Sequence, residues 1–494
     1  MFLKIMYLYR GMKGIVISEE ESPSTLAFKF IALEDVKKGE YISIRTDEGL
    51  IIGSVNELYF YNEYLSKSNV LTEVPELSKV ITREENVLIG VCNVLGLYKE
   101  GKFVRALKPP SPGSIVEDVE DGILQAFFGF VKEGIDIGKV KNRKLKVVLD
   151  VERTLGKHMA ILAMSGAGKS NLVSIMFEQL IEKSIIPSII IDIHGEYTPF
   201  KNIINATEIK GEDIKIPFKS LSSSLFRQVF PNFSDPQEFL LSKAISKYKK
   251  MLKKRAINPN LKHLYKIVKE IDESKGIKNA VLRKIKHLHR LKIIGEETFD
   301  FQQLLKFGSG AIVNLSSISN ERIRNLKVYY ILKKLFGLRK KNLIPPFVVF
   351  IEEAHNLAPE TIAKEMGLAK KEIERIAREG RKFGVSLVIV SQRPAHLSQT
   401  ALAQCSTHVF LKIVNPNDLR YIESVSEFAS SDVMRSIPSL DIGEAIITGS
   451  AVNAPVIVRI KKRREELENY KNKGLNEMLK EWKDKKGIDY SYYK

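Results

Sequence analysis

The sequence predicts an α/β domain built around a phosphate-binding loop, with a small β-rich domain ahead of it and a helical stretch inserted into it. Three observations carry this prediction. From about Lys144, apolar strands alternate with helical stretches: HMAILAM, SIIIDI, AIVNL, FVVFIEE, SLVIVSQ, THVFLKIV, EAIITG and PVIVRI. Such near-continuous apolar runs are what a parallel sheet covered on both faces requires. Second, AILAMSGAGKSN (Ala160 to Asn171) sets a glycine loop between a strand and an amphipathic helix, the context of a P-loop. Third, the first hundred residues read as short β-branched or aromatic runs separated by turns, the pattern of a small barrel or sandwich.

Taken in order, residues 1–107 are expected to form the barrel from GIVISE, LAFKFIAL, YISIRT, LIIGSV and NVLIGVCNVLG, with turns at Lys38-Gly39 and Asp47-Glu48-Gly49. KPPSPGS opens a connection over 108–143, because proline-rich stretches are stiff and resist regular structure. The α/β core is assigned to 144–205 and 309–460, and 206–308 to a helical insertion. The insertion carries two basic patches, KYKKMLKKR ending at Arg255 and LRKIKHLHRLK ending at Lys292. They read first as solvated helix faces, with a nucleic-acid contact as the alternative. Residues 461–494 read as a charged helical tail, with Trp482 as a packing anchor.

Composition limits the function classes. With 494 residues, 44% hydrophobic and 28% charged, the chain suits several packed domains and not wholesale disorder. Lys and Arg outnumber Asp and Glu by 78 to 59, a net charge of +19, which favours a polyanionic partner, nucleic acid foremost. Cys92 and Cys405 are too few and too far apart for a disulfide framework, as in a reducing cytoplasm. The amino terminus is broken by Lys4 and Arg10 and makes a poor signal peptide, and no apolar run approaches a membrane span. The expectation is a cytoplasmic protein with no membrane partner.

The loop matches G-x-x-x-x-G-K-[ST] except at its first position, which is Ala163. That replacement matters only if the position needs a positive φ or a very close approach. Ser165, Gly166, Ala167, Gly168, Lys169, Ser170 and Asn171 are therefore the expected contacts to ATP, with Lys169 reaching the β/γ-phosphates and the Ser170 hydroxyl ligating Mg²⁺. The strand FVVFI ends in Glu352 and Glu353. An acidic residue at a strand end beside a P-loop holds Mg²⁺, usually through water, and its neighbour orients the attacking water, so Glu352 takes the metal role and Glu353 the catalytic one. Gln392, at the end of SLVIVSQ, is the candidate γ-phosphate sensor and Arg393 an accessory nucleotide contact. Upstream, Ile362, Met366, Ala369, Ile373 and Ile376 form the apolar stripe of a helix whose far end bears Arg378 and Arg381. These arginines are candidate fingers for a neighbouring subunit's nucleotide.

These motifs, in this order, resemble the HerA branch of the HerA–FtsK ATPases within the RecA-like P-loop group. VKKGEYISI and EGLIIGSV resemble the HAS-barrel of that family. GKHMAILAMSGAGKSN, IDIHGEY, FIEEAHN, AREGRKFGVSLVIVSQRP and the basic tail follow in family order. The resemblance implies a RecA-like P-loop ATPase core with an N-terminal HAS-like barrel, a homohexameric ring, DNA in its pore, and work with a NurA-type nuclease at double-strand break ends. It also implies a supporting metal role for Asp192 and a subunit-facing, nucleotide-binding role for Lys157. Two rival readings remain: a related ring ATPase moving protein or nucleoprotein cargo, and a nucleotide-gated scaffold that recruits a nuclease.

Overall fold

The computed structural model describes residues 12–19, 22–62, 86–230, 232–361, 367–427 and 429–468. Ile362, Met366, Trp482 and the tail beyond 468 lie outside these residues. The chain divides into two compact units, one formed by 1–154, 406–412 and 428–460, the other by 155–405, 413–427 and 461–494.

The first unit opens with strands β1 (Met12–Ile17), β2 (Ala27–Ala32), β3 (Tyr41–Thr46), β4 (Gly49–Tyr61), β5 (Val87–Lys99), β6 (Lys102–Val104) and β7 (Ile115–Asp118). Six of them close into an antiparallel barrel in the order β1-β7-β3-β4-β5-β2 and back to β1. Alternation along the strands turns Val16, Phe28, Phe30, Ile42, Ile44, Ile51 and Val116 inward. The packing is close at Gly53, where a Cβ would meet Cys92 Sγ at 2.3 Å. Helix α1 (Asp121–Phe128) and the hairpin β8 (Ile135–Val140) and β9 (Lys146–Leu149) follow.

The barrel corrects the expected boundary. β7 lies beyond residue 107 yet pairs with both β1 and β3, so 108–143 is not a connection. It supplies a barrel strand, a helix and the start of the next hairpin. A four-residue strand with two glutamate or aspartate side chains, IVED, has too little apolar alternation to be read without its partners.

The second unit holds a six-stranded parallel sheet with helices packed against it. Its strands are β10 (Met159–Leu162), β11 (Ser188–Asp192), β12 (Ala206–Lys210), β13 (Gly310–Asn314), β14 (Phe347–Ile351) and β15 (Val385–Ser391), in the order β12-β13-β11-β14-β15-β10. β10, β11 and β14 are buried along their whole length, as expected of parallel strands covered on both faces. β12 belongs to this sheet, so the helical insertion begins after it and not at 206. The longest helices of the insertion are α3 (Asp235–Lys253), α4 (Leu261–Glu270) and α5 (Lys275–Arg290). Helix α6 (Glu321–Lys340) returns to the sheet, and α7 (Leu368–Glu379) buries Ala369, Ile373 and Ile376.

The chain then re-enters the first unit with β16 (Thr407–Leu411), β17 (Glu444–Gly449) and β18 (Val456–Ile460). These are antiparallel, and β18 pairs with β8. The last two strands read from the sequence as core elements thus join the β8–β9 hairpin. No helix among the described residues is long and apolar enough to cross a membrane.

Candidate nucleotide site

Strand β10 delivers the loop. Its last residue is followed by Ala163, which is fully buried, does not have a positive φ, and donates its N–H to Ser391 O at 3.2 Å. An alanine Cβ fits there, so the missing glycine costs the loop nothing. The positive φ values fall at Gly166 (77°) and Gly168 (105°), where glycine is present and an L side chain would be strained. No heavy atom lies within 4 Å of a Cβ built on Gly166, so the space above the loop is open. Helix α2 (Lys169–Glu182) starts directly after Gly168, which has no side chain to cap the first N–H groups. Those donors and the helix dipole point at the loop, an arrangement suited to phosphate.

Four of the expected residues meet beneath this loop. Lys169 Nζ donates to Glu352 Oε2 at 2.8 Å and Glu353 Oε1 at 2.6 Å, and all three side chains are buried. Burial pulls the Lys169 ammonium down, but the two carboxylates outweigh it and hold the group above its ordinary value. For Glu353 burial pushes upward and is outweighed by Lys169, with help from Gln392, so its carboxyl sits below the usual range. Gln392 Nε2 donates to Glu353 Oε1 at 2.6 Å. Glu353 itself adopts a left-handed backbone, φ 46°, which turns the chain out of β14 and lets adjacent carboxylates both face Lys169. Such a conformation costs a non-glycine residue roughly 1–2 kcal/mol.

Three further participants had no role assigned from the sequence, although IDIHGEY places Glu196 near the site. Tyr197 is fully buried and its hydroxyl donates to Glu352 Oε1. Burial, and then Glu352, keep its phenol protonated well above the ordinary value. Glu196 Oε2 accepts from the Ser170 hydroxyl at 2.7 Å. His355 Nδ1 lies 3.1 Å from Ser391 Oγ and 3.4 Å from Glu353 Oε2. Burial lowers its pKa, with Glu353 opposing and Arg393 assisting. The signal for Tyr197 was present in IDIHGEY, but a tyrosine one residue past a candidate acid carries no spacing rule of its own.

Asp192 has a different set of partners from a metal. Its Oδ1 receives the N–H groups of His194, Gly195 and Glu196, and its Oδ2 that of Tyr197. Burial pushes its carboxyl up to about 6, against these N–H groups. The carboxylate ties the turn that presents Glu196 and Tyr197. Asn171 is likewise engaged away from the loop: Nδ2 donates to Lys461 O at 2.8 Å and Oδ1 accepts from Arg463 N at 2.9 Å. Arg464 continues this docking onto α2 through Glu178 and Glu182. Ser165 and Arg393 are exposed beside the loop, and Ala167 is buried within it.

Lys157, Arg378 and Arg381 sit at the other end of the sheet. β10 and β15 run parallel with Met159 beside Val388 and Leu162 beside Ser391. Lys157 precedes the first strand and the two arginines precede the second, so all three stand at the edge opposite the P-loop. His158 links them, its ring bonding Ala377 O at 2.9 Å through Nε2 and Leu387 N at 3.0 Å through Nδ1. All three cationic side chains are exposed.

Comparison with known proteins fits this architecture. The family described as the central domain of the helicase HerA matches residues 135–335. The DNA double-strand break repair helicase HerA of Sulfolobus acidocaldarius is 33% identical over 87% of this chain and 89% of its own length. The chain belongs to the HerA family. HerA of Sulfurisphaera tokodaii is 29% identical over 94% of this chain and 96% of its own. Among solved structures, VirB4 of Thermoanaerobacter pseudethanolicus superposes with a TM-score of 0.55 at 16% identity, covering 68% of this chain and 98% of that one, a likeness of fold. With its P-loop, buried lysine and paired strand-end glutamates, this HerA-family chain is an ATP hydrolase.

Proposed function

We propose that the chain is an ATP-driven DNA translocase of the HerA type, working as a homohexameric ring with a NurA-type nuclease at double-strand break ends in the cytoplasm. The observation that carries the ATP-driven part is Lys169 bridging Glu352 and Glu353 under an open glycine loop. A lysine at the base of a helix N-terminus, balanced by two carboxylates, is poised to exchange those partners for phosphate oxygens. The DNA part rests on kinship with the repair helicases and on the surplus of +19.

Backbone N–H groups of Gly166 to Ser170 would hold the phosphates. Ser170 Oγ and Glu352 are the oxygens that fit Mg²⁺. Among the described residues no group of three or more His, Cys, Asp or Glu could hold a metal alone, which agrees with an ion completed by water and phosphate oxygens. When bound, that ion neutralises charge on the phosphates. Glu196 occupies Ser170 and Tyr197 holds one oxygen of Glu352, so the turn tied by Asp192 orients both oxygens. Once Lys169 turns to phosphate, Glu353 keeps Gln392 as its donor and is freed to orient water for in-line attack. Gln392 thereby couples the carboxylate to the γ-phosphate position. Arg378 and Arg381 would act on the nucleotide of an adjacent subunit, because their edge lies a strand's length from their own loop. Ser165 and Arg393 flank the nucleotide, and Lys157 faces the neighbouring subunit with the arginines.

The test is ATP hydrolysis with and without linear duplex DNA, alongside Lys169→Ala and Glu353→Ala. DNA stimulation lost in both variants is expected. Robust hydrolysis indifferent to DNA would move the proposal to another cargo.

A further inference from the structure

The most distinctive unassigned feature lies on the helical insertion. Helices α4 and α5 line a groove of about 460 Å³. Lys262, Lys266 and Lys269 stand along one wall and Lys286, His289 and Arg290 along the other, all exposed. Steps of three and four residues put each set on one helix face. Leu261, Tyr265 and Ile285 form the floor between these rows, and behind them Leu264, Ile267 and Val268 of α4 and Val281, Leu282 and Leu288 of α5 are buried. The two basic rows converge, since Lys269 Nζ and Lys286 Nζ each lie 5.5 Å from the centroid of the Tyr265 ring.

Some cations of the insertion meet carboxylates: Arg227 binds Asp235 and Glu238, and Lys247 reaches Glu270 at 3.4 Å. Glu270, the acid next to Lys269 in sequence, is thus taken by another helix. Among the described residues no carboxylate lies within 4.0 Å of Lys262, Lys266, Lys269, Lys286 or Arg290, and none lines the groove. Five like charges concentrated without compensation repel one another and raise the local potential for an anion. The α4 row spans seven residue steps, about 10 Å at 1.5 Å per residue. A strand of duplex DNA places a phosphate about every 3.4 Å along its axis, so the row can meet about three phosphates.

We propose that the α4–α5 groove is a second nucleic-acid backbone site, separate from the motor and independent of nucleotide state. It deepens the DNA reading above and rests on it for the identity of the polyanion. Lysines and arginine along a groove grip phosphates without reading sequence. No residue of the P-loop, the glutamate pair or Gln392 lines it, so ATP has no direct lever on it. Such a site would keep the ring on its track while motor contacts release.

The full chain carrying Lys266→Gln, Lys286→Gln and Arg290→Gln together tests this. Binding to a fluorescent duplex is measured by anisotropy across a salt series, without nucleotide and with a non-hydrolysable ATP analogue. Three lost phosphate contacts should make the slope of log K against log salt shallower by about 2.7, equally in both states. Lys266→Arg with Lys286→Arg should keep the wild-type slope, and DNA-free ATP hydrolysis should report an intact fold. An unchanged slope in the glutamine variant overturns the proposal, as does a change confined to the analogue-bound state. Polyglutamate bound more tightly than the duplex, and lost in the variant, would reassign the groove to an acidic protein and also overturn it. Failure of the motor reading looks different: hydrolysis indifferent to DNA, with the slope change intact.

Discussion

Glu353 Oε1 receives two donors at once, Lys169 Nζ and Gln392 Nε2, each at 2.6 Å. One of these donors is the group expected to leave for phosphate, and the other is the group expected to sense it. Shared custody of one oxygen gives the site a simple logic. Nucleotide binding removes the lysine's restraint, while Gln392 keeps the carboxylate aimed. Glu353→Gln should therefore lower steady-state hydrolysis by roughly 10²–10⁴-fold, with affinity for a fluorescent ATP analogue changed less than about tenfold. Gln392→Ala removes a hydrogen bond to a charged group, worth about 1.5–3 kcal/mol, and should cost roughly 10–100-fold in kcat. Equal loss of analogue binding in both variants would place these residues in ground-state binding instead.

Tyr197→Phe removes the phenolic donor from Glu352 and leaves a buried carboxylate oxygen short of a partner. Thermal or urea unfolding should show a loss of about 1.5–3 kcal/mol. If Tyr197 also fixes the oxygen that faces Mg²⁺, the concentration of Mg²⁺ giving half-maximal hydrolysis should rise. A stability loss with an unchanged Mg²⁺ response would limit Tyr197 to a structural part.

The contrast between Tyr197 and its neighbours shows what the sequence made legible. The P-loop, Glu352, Glu353 and Gln392 were readable because strand ends facing a phosphate loop have few chemically useful residue types. Five of the six parallel strands were readable from apolar runs such as FVVFI and SIIID, whereas β12, ATEIK, has no such run. β7 was not, because IVED is short and acquires meaning only through pairing with β1 and β3. The partners of Asn171 were equally hidden: they come from residues 461–463, 290 and more positions away. Local pattern identifies elements, whereas long-range hydrogen bonds are settled by packing.

His158 yields a pH prediction. Its Nε2 faces Ala377 O and its Nδ1 accepts from Leu387 N, an arrangement that needs the neutral ring. Burial lowers its pKa to about 4, opposed in part by the bond to Ala377. Because the folded value lies below the unfolded one near 6.5, the folded state binds fewer protons. The contribution is present above pH 6.5 and is lost as pH falls toward 4, amounting to about 3 kcal/mol. Urea midpoints between pH 4 and 7 should decline more steeply for the wild type than for His158→Gln. Parallel curves would mean the ring does not titrate in that window.

Asn171→Ala separates two roles. Its side chain clamps the backbone of Lys461 and Arg463 through two hydrogen bonds, worth about 0.5–1.5 kcal/mol each. The variant should become more sensitive to trypsin within Lys461–Arg464, while the Kd for an ATP analogue stays within about threefold. A large rise in Kd without new cleavage would instead assign Asn171 to the nucleotide.

Arg378 and Arg381 supply the sharpest test of assembly. They precede β15, the P-loop follows β10, and the strands run parallel, so the loop and the arginines are separated by a strand of roughly 20 Å. No side chain bridges that span within one subunit. The double variant Arg378→Ala/Arg381→Ala should lose about 10³–10⁵ in kcat if the arginines serve as fingers, while its own P-loop still binds the ATP analogue. Mixing it with Lys169→Ala, itself inactive, should restore activity, since an interface can then combine an intact loop from one subunit with intact arginines from the next. Recovery that rises and falls with mixing ratio, peaking near equal parts, identifies a shared site between copies. Mixtures that stay inactive after verified subunit exchange would remove the arginines from a site shared between copies.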